Sequence, residues 1–345
     1  VLYAGFGYDP FYFHMFSLLL HIGCVCLVWK LISSLLRVHG GVSEKQILYV
    51  NFITTLLFAV HPINVEAVAW ISALKVLLYA FFYLLGLLCY LRYIRTSKIF
   101  YYVLTIGCFL CSFWGKEQAI TFPLALLIVD WFTNRNMKNL EVWSEKMSFL
   151  IMAFFFGIIT VLSQGKGPYE MIFPLYQRLL FGCFALVEYI TKSLLPVNLN
   201  FFYPFPIVLG EEPPLHYYLY PVVLLFLMGW IIAYRNNRYL VFGVLLFLVN
   251  LLFSIHLFNM SRHAIVADRY MYLSYVGIAF LIANGIWWLR KRLSYFKAAL
   301  VFLFFYCFFL SVYTFHYTKK WENTTMVKKY TKEVLEKRLN GSNHL

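Results

Sequence analysis

Four side chains that can carry charge lie close together in the segment SRHAIVADRY at 261–270, namely Arg262, His263, Asp268 and Arg269. Long apolar stretches flank the segment on both sides. Guanidinium groups form charge-assisted, often bidentate hydrogen bonds with phosphate oxygens, and the first turn of a helix adds backbone N–H groups and a partial positive charge. The spacing therefore predicts an anion site in which Arg269 is a ligand beside Arg262 or His263, while Asp268 orients Arg269 or caps the helix.

Other side chains extend this prediction. Lys116, Arg178 and His61 also lie next to apolar runs, and we expect them to contribute to the same anion site, with Glu117 as a supporting residue. An alternative stays open, because charges near helix ends are often solvated or paired with a neighbour. Asp268–Arg269 and Lys116–Glu117 are the pairs that this alternative predicts.

Proton transfer requires a carboxylate or histidine within hydrogen-bond reach of a substrate hydroxyl. Glu66, near His61 in HPINVEAVAW, is one weak candidate, and its alternative role is a local cap or ion pair. Asp9, which precedes Pro10, is a second weak candidate, although aspartate before proline at a helix start is typical of an N-cap.

Composition places these residues in a membrane. Of the 345 residues, 62% are hydrophobic and only 13% are charged, with a mean hydropathy of +0.72. Such a chain cannot cover a soluble surface, so we expect an all-α polytopic membrane protein and identify the anion as a lipid phosphate. The net charge of +14 comes mainly from short loops between apolar runs, which excludes nucleic acid as a partner. The seven cysteines lie inside apolar runs, and no metal site is indicated.

The apolar runs predict about ten spanning helices and one interfacial or re-entrant helix at 178–195. Each run approaches the length that crosses a hydrocarbon core. The segment at 178–195 carries Arg178, Glu188 and Lys192, and counting it as a span would separate the basic loops onto opposite sides. The ten predicted spans are 11–36, 47–60, 74–94, 99–114, 118–133, 148–163, 216–234, 239–257, 270–289 and 297–316.

Lysine and arginine cluster in alternate loops, and the positive-inside rule makes that side cytoplasmic. Both visible chain ends are then extracytoplasmic, together with 61–70, 115–118, 164–215 and 261–270. The polar residues without an orientation role therefore share one face. The proline-rich and aromatic stretch at 194–214, which includes Tyr203 as a supporting residue, either lines a groove on that face or forms a stiff connecting loop.

The order of five motifs resembles one family. DPFYFHMFSLLLH, FAVHPINVEAVAW, GKEQAITFPLALLIVDW, LLPVNLNFFYP and VADRYMYLS follow one another as in the transmembrane and tetratricopeptide-repeat O-mannosyltransferases and their bacterial relatives, of the GT-C glycosyltransferase superfamily. The resemblance implies a GT-C-like bundle and transfer of a sugar from a polyprenyl-phosphate carrier, the donor, to a protein hydroxyl or another acceptor such as a glycan. It also implies an external catalytic acid after a first span that we expect upstream of Val1.

We expect two parts, a GT-C-like transmembrane domain at 1–318 and an extracytoplasmic amphipathic C-terminal helix at 319–345, which is a candidate contact for a partner subunit. A bacterial inner membrane is favoured, or the endoplasmic reticulum membrane if the source is eukaryotic. Two other function classes stay open. One is a non-catalytic membrane scaffold or assembly subunit, and the other is a transporter or flippase for lipid-linked sugar, for which polar residues at mid-membrane and an internal repeat would be typical.

Overall fold

A computed structural model describes residues 2–7, 9–163, 173–255 and 264–342 of the chain. The described residues form fourteen α-helices and isolated single turns, and the protein is an all-α polytopic membrane protein. The helices are α1 Leu2–Phe6, α2 Pro10–His39, α3 Glu44–Val60, α4 Val65–Ala69, α5 Leu74–Thr96, α6 Ile99–Gly115, α7 Phe122–Phe132, α8 Leu140–Ser163, α9 Leu175–Leu194, α10 Leu219–Ala233, α11 Arg238–Leu251, α12 Met271–Trp288, α13 Leu293–Thr318 and α14 Thr324–Ser342.

Fewer helices can span a membrane than the predicted ten. Among the described residues, six are long and apolar enough, or seven if the pair Glu44–Val60 and Pro62–Ala69, bent by 50°, is one broken span. The predicted span at 118–133 shows why the count differs. A 3-10 turn occupies Glu117–Thr121, so α7 has only 11 residues. Eleven residues rise about 16 Å, roughly half of a hydrocarbon core.

The predicted interfacial segment at 178–195 corresponds to α9, a continuous helix of 20 residues. Three polar residues of α9, Gln177, Lys192 and Ser193, are buried. The long apolar helices that could span a membrane do not include α9. Whether α9 crosses the membrane stays a prediction.

Close helix packing in the bundle depends on glycine at one crossing. A Cβ atom at Gly277 of α12 would lie 2.5 Å from the carbonyl oxygen of Gly243 and 2.7 Å from the backbone nitrogen of Phe247, both on α11. Small residues permit such close backbone approach in membrane bundles. This crossing fixes α12, whose first turn follows Arg269, against the rest of the bundle.

Helix termini from the described parts of the predicted cytoplasmic and external segments meet at two ends of the bundle. At one end, here called the Arg135 end, His39 at the end of α2 contacts Phe132 at the end of α7, with 2.7 Å between the ring Nδ1 and the backbone oxygen. The His39 ring also lies 5.2 Å from Tyr239, at the start of α11. At the other end, the Arg269 end, α4 packs against the 3-10 turn Asp268–Tyr270. Which end faces the cytoplasm stays a prediction.

The predicted domain boundary after residue 318 lies at the junction between α13 and α14. A 3-10 turn at Lys319–Trp321 joins the two helices. Trp321 is buried and packs in a small cluster with Val65 and Leu199, so α14 begins against the Arg269 end. The division into 1–318 and 319–345 stays a prediction.

Candidate functional site

Arg269 is held by Glu66 through two hydrogen bonds. The backbone N–H of Arg269 donates to Oε2 of Glu66 at 2.7 Å, and Nη1 of its guanidinium donates to Oε1 at 2.5 Å. The Glu66 side chain is fully buried, whereas 21% of the Arg269 side chain is exposed. The ion pair therefore fixes the position of the guanidinium and leaves part of it accessible.

Aromatic rings and a second cation surround the guanidinium. Its carbon lies 5.3 Å from the centre of the Trp70 ring and 5.1 Å from that of Tyr270. Nζ of Lys116, at the end of α6, lies 4.4 Å from the same Tyr270 ring. Rings at these distances stabilise cations. The structure thus brings together Lys116 and Arg269, two of the predicted anion ligands.

Asp268 does not pair with Arg269 or cap a helix, contrary to the sequence-based expectation. Its carboxylate is buried and accepts hydrogen bonds from the Tyr203 hydroxyl, which lies 3.0 Å from both oxygens. Consecutive residues of a 3-10 turn point in different directions, so Arg269 contacts Glu66 while Asp268 contacts Tyr203. Burial, and secondly the Asp268 carboxylate, raises the pKa of Tyr203 well above its usual value, so Tyr203 remains a donor.

Tyr203 also holds the segment before Asp268 in place. It forms an isolated antiparallel bridge with Val266, and the N–H of Ile265 donates to its carbonyl oxygen at 2.9 Å. The Tyr203 ring lies 4.7 Å from Nζ of Lys192 on α9. Tyr203 thus connects α9, the 199–207 segment and the Arg269 turn, and its supporting role in an anion site stays a prediction.

His61 and Asp9 have local structural partners. Nδ1 of the His61 ring accepts a hydrogen bond from the N–H of Ile63 at 3.2 Å, so His61 caps the turn that leads to Glu66. Its ring is buried against Tyr275, with 4.2 Å between the ring centres. Asp9 is the N-cap of α2 and accepts from the N–H of Phe11 at 3.0 Å, as the alternative reading of that residue predicts.

Two further predicted residues, Glu117 and Arg178, belong to the described part of the chain. Glu117 begins the 3-10 turn that follows Lys116. Arg178 lies in the first turn of α9, half buried, and its part in an anion site stays a prediction. Arg262 and His263 lie outside the described residues.

A groove adjoins the Arg269 turn on the side of Trp70. Its volume is about 1090 Å³, and it lies between the start of α2, the Trp70–Ser72 segment, Phe201 and Phe202, and one face of α14. Trp70 contacts Arg269 and also lines the groove. The aromatic segment at 194–214 therefore forms part of a groove wall, which was one of its two predicted roles.

A second buried charge cluster lies at the Arg135 end. Arg135 contacts Glu145 with two hydrogen bonds of 2.6 and 3.0 Å, and the fully buried Lys146 forms an ion pair with the fully buried Asp130. Tyr90 donates to Asp130 at 2.8 Å. Two acids balance two bases in this cluster. Both terminal nitrogens of the Arg135 guanidinium bond to Glu145, whereas only Nη1 of Arg269 bonds to Glu66, so we assign the Arg135 cluster a structural role.

Sequence reasoning missed three features of the Arg269 end. It did not pair Glu66 with Arg269 and did not place Lys192 near Tyr203. It also did not identify Trp70 as the residue that both contacts Arg269 and lines the groove. Within the described ranges, no group of three or more His, Cys, Asp or Glu side chains is arranged to hold a metal ion.

Several curated proteins with similar sequence are O-mannosyl-transferases. The chain is 28% identical over 153 residues to protein O-mannosyl-transferase Tmtc3 of Drosophila melanogaster, a match that covers 39% of this chain and 16% of the relative. It is 32% identical over 143 residues to protein O-mannosyl-transferase TMTC2 of Mus musculus, with 39% and 16% covered. The chain is a local homologue of the O-mannosyl-transferases.

The homology confirms the resemblance to the O-mannosyl-transferase group over part of the chain. A third relative, protein O-mannosyl-transferase TMTC4 of Homo sapiens, is 32% identical over 130 residues, which cover 34% of this chain and 18% of the relative. The matches thus span less than a fifth of each O-mannosyl-transferase. No family model matches the chain, and no solved structure matches it. The preference for a bacterial membrane stays a prediction.

Proposed function

We propose that this integral membrane protein takes part in transferring a sugar from a polyprenyl-phosphate carrier to a serine or threonine hydroxyl of a protein. The observation that carries the proposal is the Arg269 guanidinium, fixed by Glu66, partly exposed, and flanked by Trp70, Tyr270 and Lys116. The names of the O-mannosyl-transferase relatives support mannose as the sugar and protein as the acceptor.

In this reaction the acceptor oxygen forms a bond to the anomeric carbon of the sugar while the bond from that carbon to the carrier phosphate breaks. The hydroxyl proton passes to a base, and the carrier phosphate leaves with one more negative charge. Fixed positive groups near a leaving oxygen stabilise such developing charge. Arg269 would contact the phosphate directly, and Lys116 would add positive potential beside it.

Glu66 acts as a positioning residue in this account. Both of its carboxylate oxygens accept hydrogen bonds from Arg269, and its side chain is fully buried. Asp268 is likewise occupied by the Tyr203 hydroxyl. A general base must reach the hydroxyl that it deprotonates. We therefore assign the base role to neither residue and keep Glu66 and Asp268 as supports of the phosphate ligand.

We further propose that transfer occurs on the extracytoplasmic face. The distribution of lysine and arginine between loops supports this side for the Arg269 end. Soluble nucleotide sugars of the cytoplasm would not reach it, whereas a lipid carrier in the membrane would. The donor is therefore expected to be lipid-linked.

The test uses the full-length protein in lipid nanodiscs, a threonine-containing peptide and radiolabelled mannose on either a polyprenyl phosphate or a nucleotide. We expect label to enter the peptide only from the lipid-linked donor. As a matched control, Arg37→Ala removes a cation of an exposed ion pair and should leave transfer unchanged. Turnover of nucleotide mannose without lipid carrier would refute the donor class. Absence of transfer from either donor would favour the scaffold alternative, and movement of the intact carrier across the membrane would favour the flippase.

A further inference from the structure

The groove beside Arg269 has an aromatic floor. The Trp70 ring centre lies 5.1 Å from that of Phe201 and 6.5 Å from that of Trp321. Trp70 also faces the Arg269 guanidinium at 5.3 Å. One tryptophan thus separates the groove from the candidate phosphate ligand, so a molecule lying in the groove would approach the reacting bond.

The rim of the groove is polar and electrically balanced. Two lysines and two glutamates lie on the α14 side of the groove, namely Lys328, Lys332, Glu322 and Glu336. Lys332 and Glu336 are 3.8 Å apart and well exposed. Equal numbers of positive and negative side chains give no preference for an anion, so a second phosphate site is not favoured here.

An occupant would find hydrogen-bonding groups on the rim. Thr331 lines the groove, and its hydroxyl oxygen is buried in the groove wall without a hydrogen-bond partner among the described residues. A buried polar group without a partner is costly, and a bound molecule that supplies the partner recovers that cost. Ser72 on the facing wall also offers a hydroxyl. An aromatic floor with a hydrogen-bonding rim suits a polypeptide, whose backbone both donates and accepts.

The size of the groove favours a polymer. At about 1090 Å³ it exceeds the range of roughly 300–1,000 Å³ typical of small-molecule sites, and one sugar residue would leave most of it empty. The lining is mainly apolar and aromatic but carries four charged side chains along the α14 wall, and this mixture suits a chain with apolar side chains and a polar backbone better than a lipid tail. Volume and chemistry therefore agree on a chain with polar backbone.

We propose that this groove binds the acceptor polypeptide as an extended segment and that α14 forms its outer wall. The inference rests on the proposed transferase function, which it deepens by naming the site of the second substrate. The bound segment would place a serine or threonine hydroxyl next to Trp70, on the Arg269 side.

The experiment measures binding of a short fluorescein-labelled peptide, with one threonine and no charged side chain, to the full-length protein in nanodiscs. Val327→Trp narrows the groove from α14, and Ser72→Trp narrows it from the facing wall. Met326→Trp is the matched control, because Met326 is exposed on α14 and does not line the groove. We expect both groove variants to weaken peptide binding by roughly tenfold or more and the control to leave it unchanged. Ser72 is exposed, so its variant should fold even if Val327→Trp does not.

Affinity for polyprenyl phosphate is measured on the same variants and separates the two proposals. Normal lipid affinity with weakened peptide binding supports the groove. Equal peptide binding by groove and control variants overturns the inference and leaves the transferase proposal standing. Displacement of the peptide by polyprenyl phosphate would assign the groove to the carrier and would likewise overturn the inference. Groove-dependent peptide binding without any donor binding would instead contradict the transferase function.

Discussion

Glu66 and Arg269 are separated by 203 residues in the sequence and form a buried ion pair at the end of the helix bundle. The backbone of Arg269 takes part as well as its guanidinium. Glu66 therefore fixes both the turn that carries the arginine and the direction of its side chain. A preorganised cation of this kind is what binding to phosphate oxygens requires.

Loss of Arg269 should lower the stability of the folded protein. Arg269→Ala leaves the Glu66 carboxylate buried without its partner, and breaking a buried pair in this way costs about 3–5 kcal/mol. The double variant Glu66→Gln/Arg269→Gln removes both charges and should recover most of that loss. The free energy of unfolding of the full-length protein in detergent is measured for the single and the double variant.

The control is the exposed pair Arg37–Glu44. The Arg37 side chain is 58% exposed and the Glu44 side chain is 76% exposed. Arg37→Ala should change stability by about 1 kcal/mol or less, because exposed ion pairs contribute little. Equal losses in Arg269→Ala and Arg37→Ala would show that the Glu66–Arg269 pair is not an important contact in the folded protein.

Tyr203→Phe should destabilise the Arg269 turn. The substitution removes the hydroxyl that donates to the buried Asp268 carboxylate at 3.0 Å, and a buried acceptor left without its donor costs about 1–3 kcal/mol. Tyr218→Phe is the matched control, since Tyr218 is exposed and its contact with Glu212 is 3.5 Å long. Thermal unfolding checks the difference, and similar midpoints for the two variants would contradict it.

The charge cluster at the Arg135 end should contribute to the stability of the protein and not to its affinity for the lipid-linked donor. Lys146→Met removes one partner of the buried Asp130, which keeps Arg135 and the Tyr90 hydroxyl, so we expect a loss of about 1–3 kcal/mol. Affinity for polyprenyl phosphate, measured below the new unfolding midpoint, should remain that of the unmodified protein. A selective loss of lipid affinity in the folded variant would assign this cluster a binding role.

Membrane orientation is tested by single cysteines in a background without the native ones. Ser43, Asn236 and Asn323 are exposed positions suited to labelling. We expect a cysteine at Asn323 to react with an impermeant maleimide from outside, and the other two only after permeabilisation, because the basic loops mark the cytoplasmic side. Labelling at Asn236 from outside would reverse the proposed face.

Sequence reasoning recovered the membrane class and most helices, since apolar runs are local patterns. It could not find the Glu66–Arg269 pair, because spacing along the chain does not reveal which helices pack together. The ten predicted spans also exceed the number of described helices that are long and apolar enough to cross a membrane. The apolar run at 118–133 includes most of the 3-10 turn at Glu117–Thr121. The α-helix α7 is therefore shorter than the run.

The most direct test of the account is the affinity of the full-length protein in nanodiscs for polyprenyl phosphate without sugar. Each charge-assisted hydrogen bond to phosphate is worth about 1.5–3 kcal/mol. The folded Glu66→Gln/Arg269→Gln variant should therefore bind roughly tenfold to several-hundredfold more weakly than the unmodified protein. Arg269→Lys, which keeps the charge but not the planar fork, should lie between them. Unchanged affinity in both folded variants would contradict the assignment of Arg269 as the phosphate ligand.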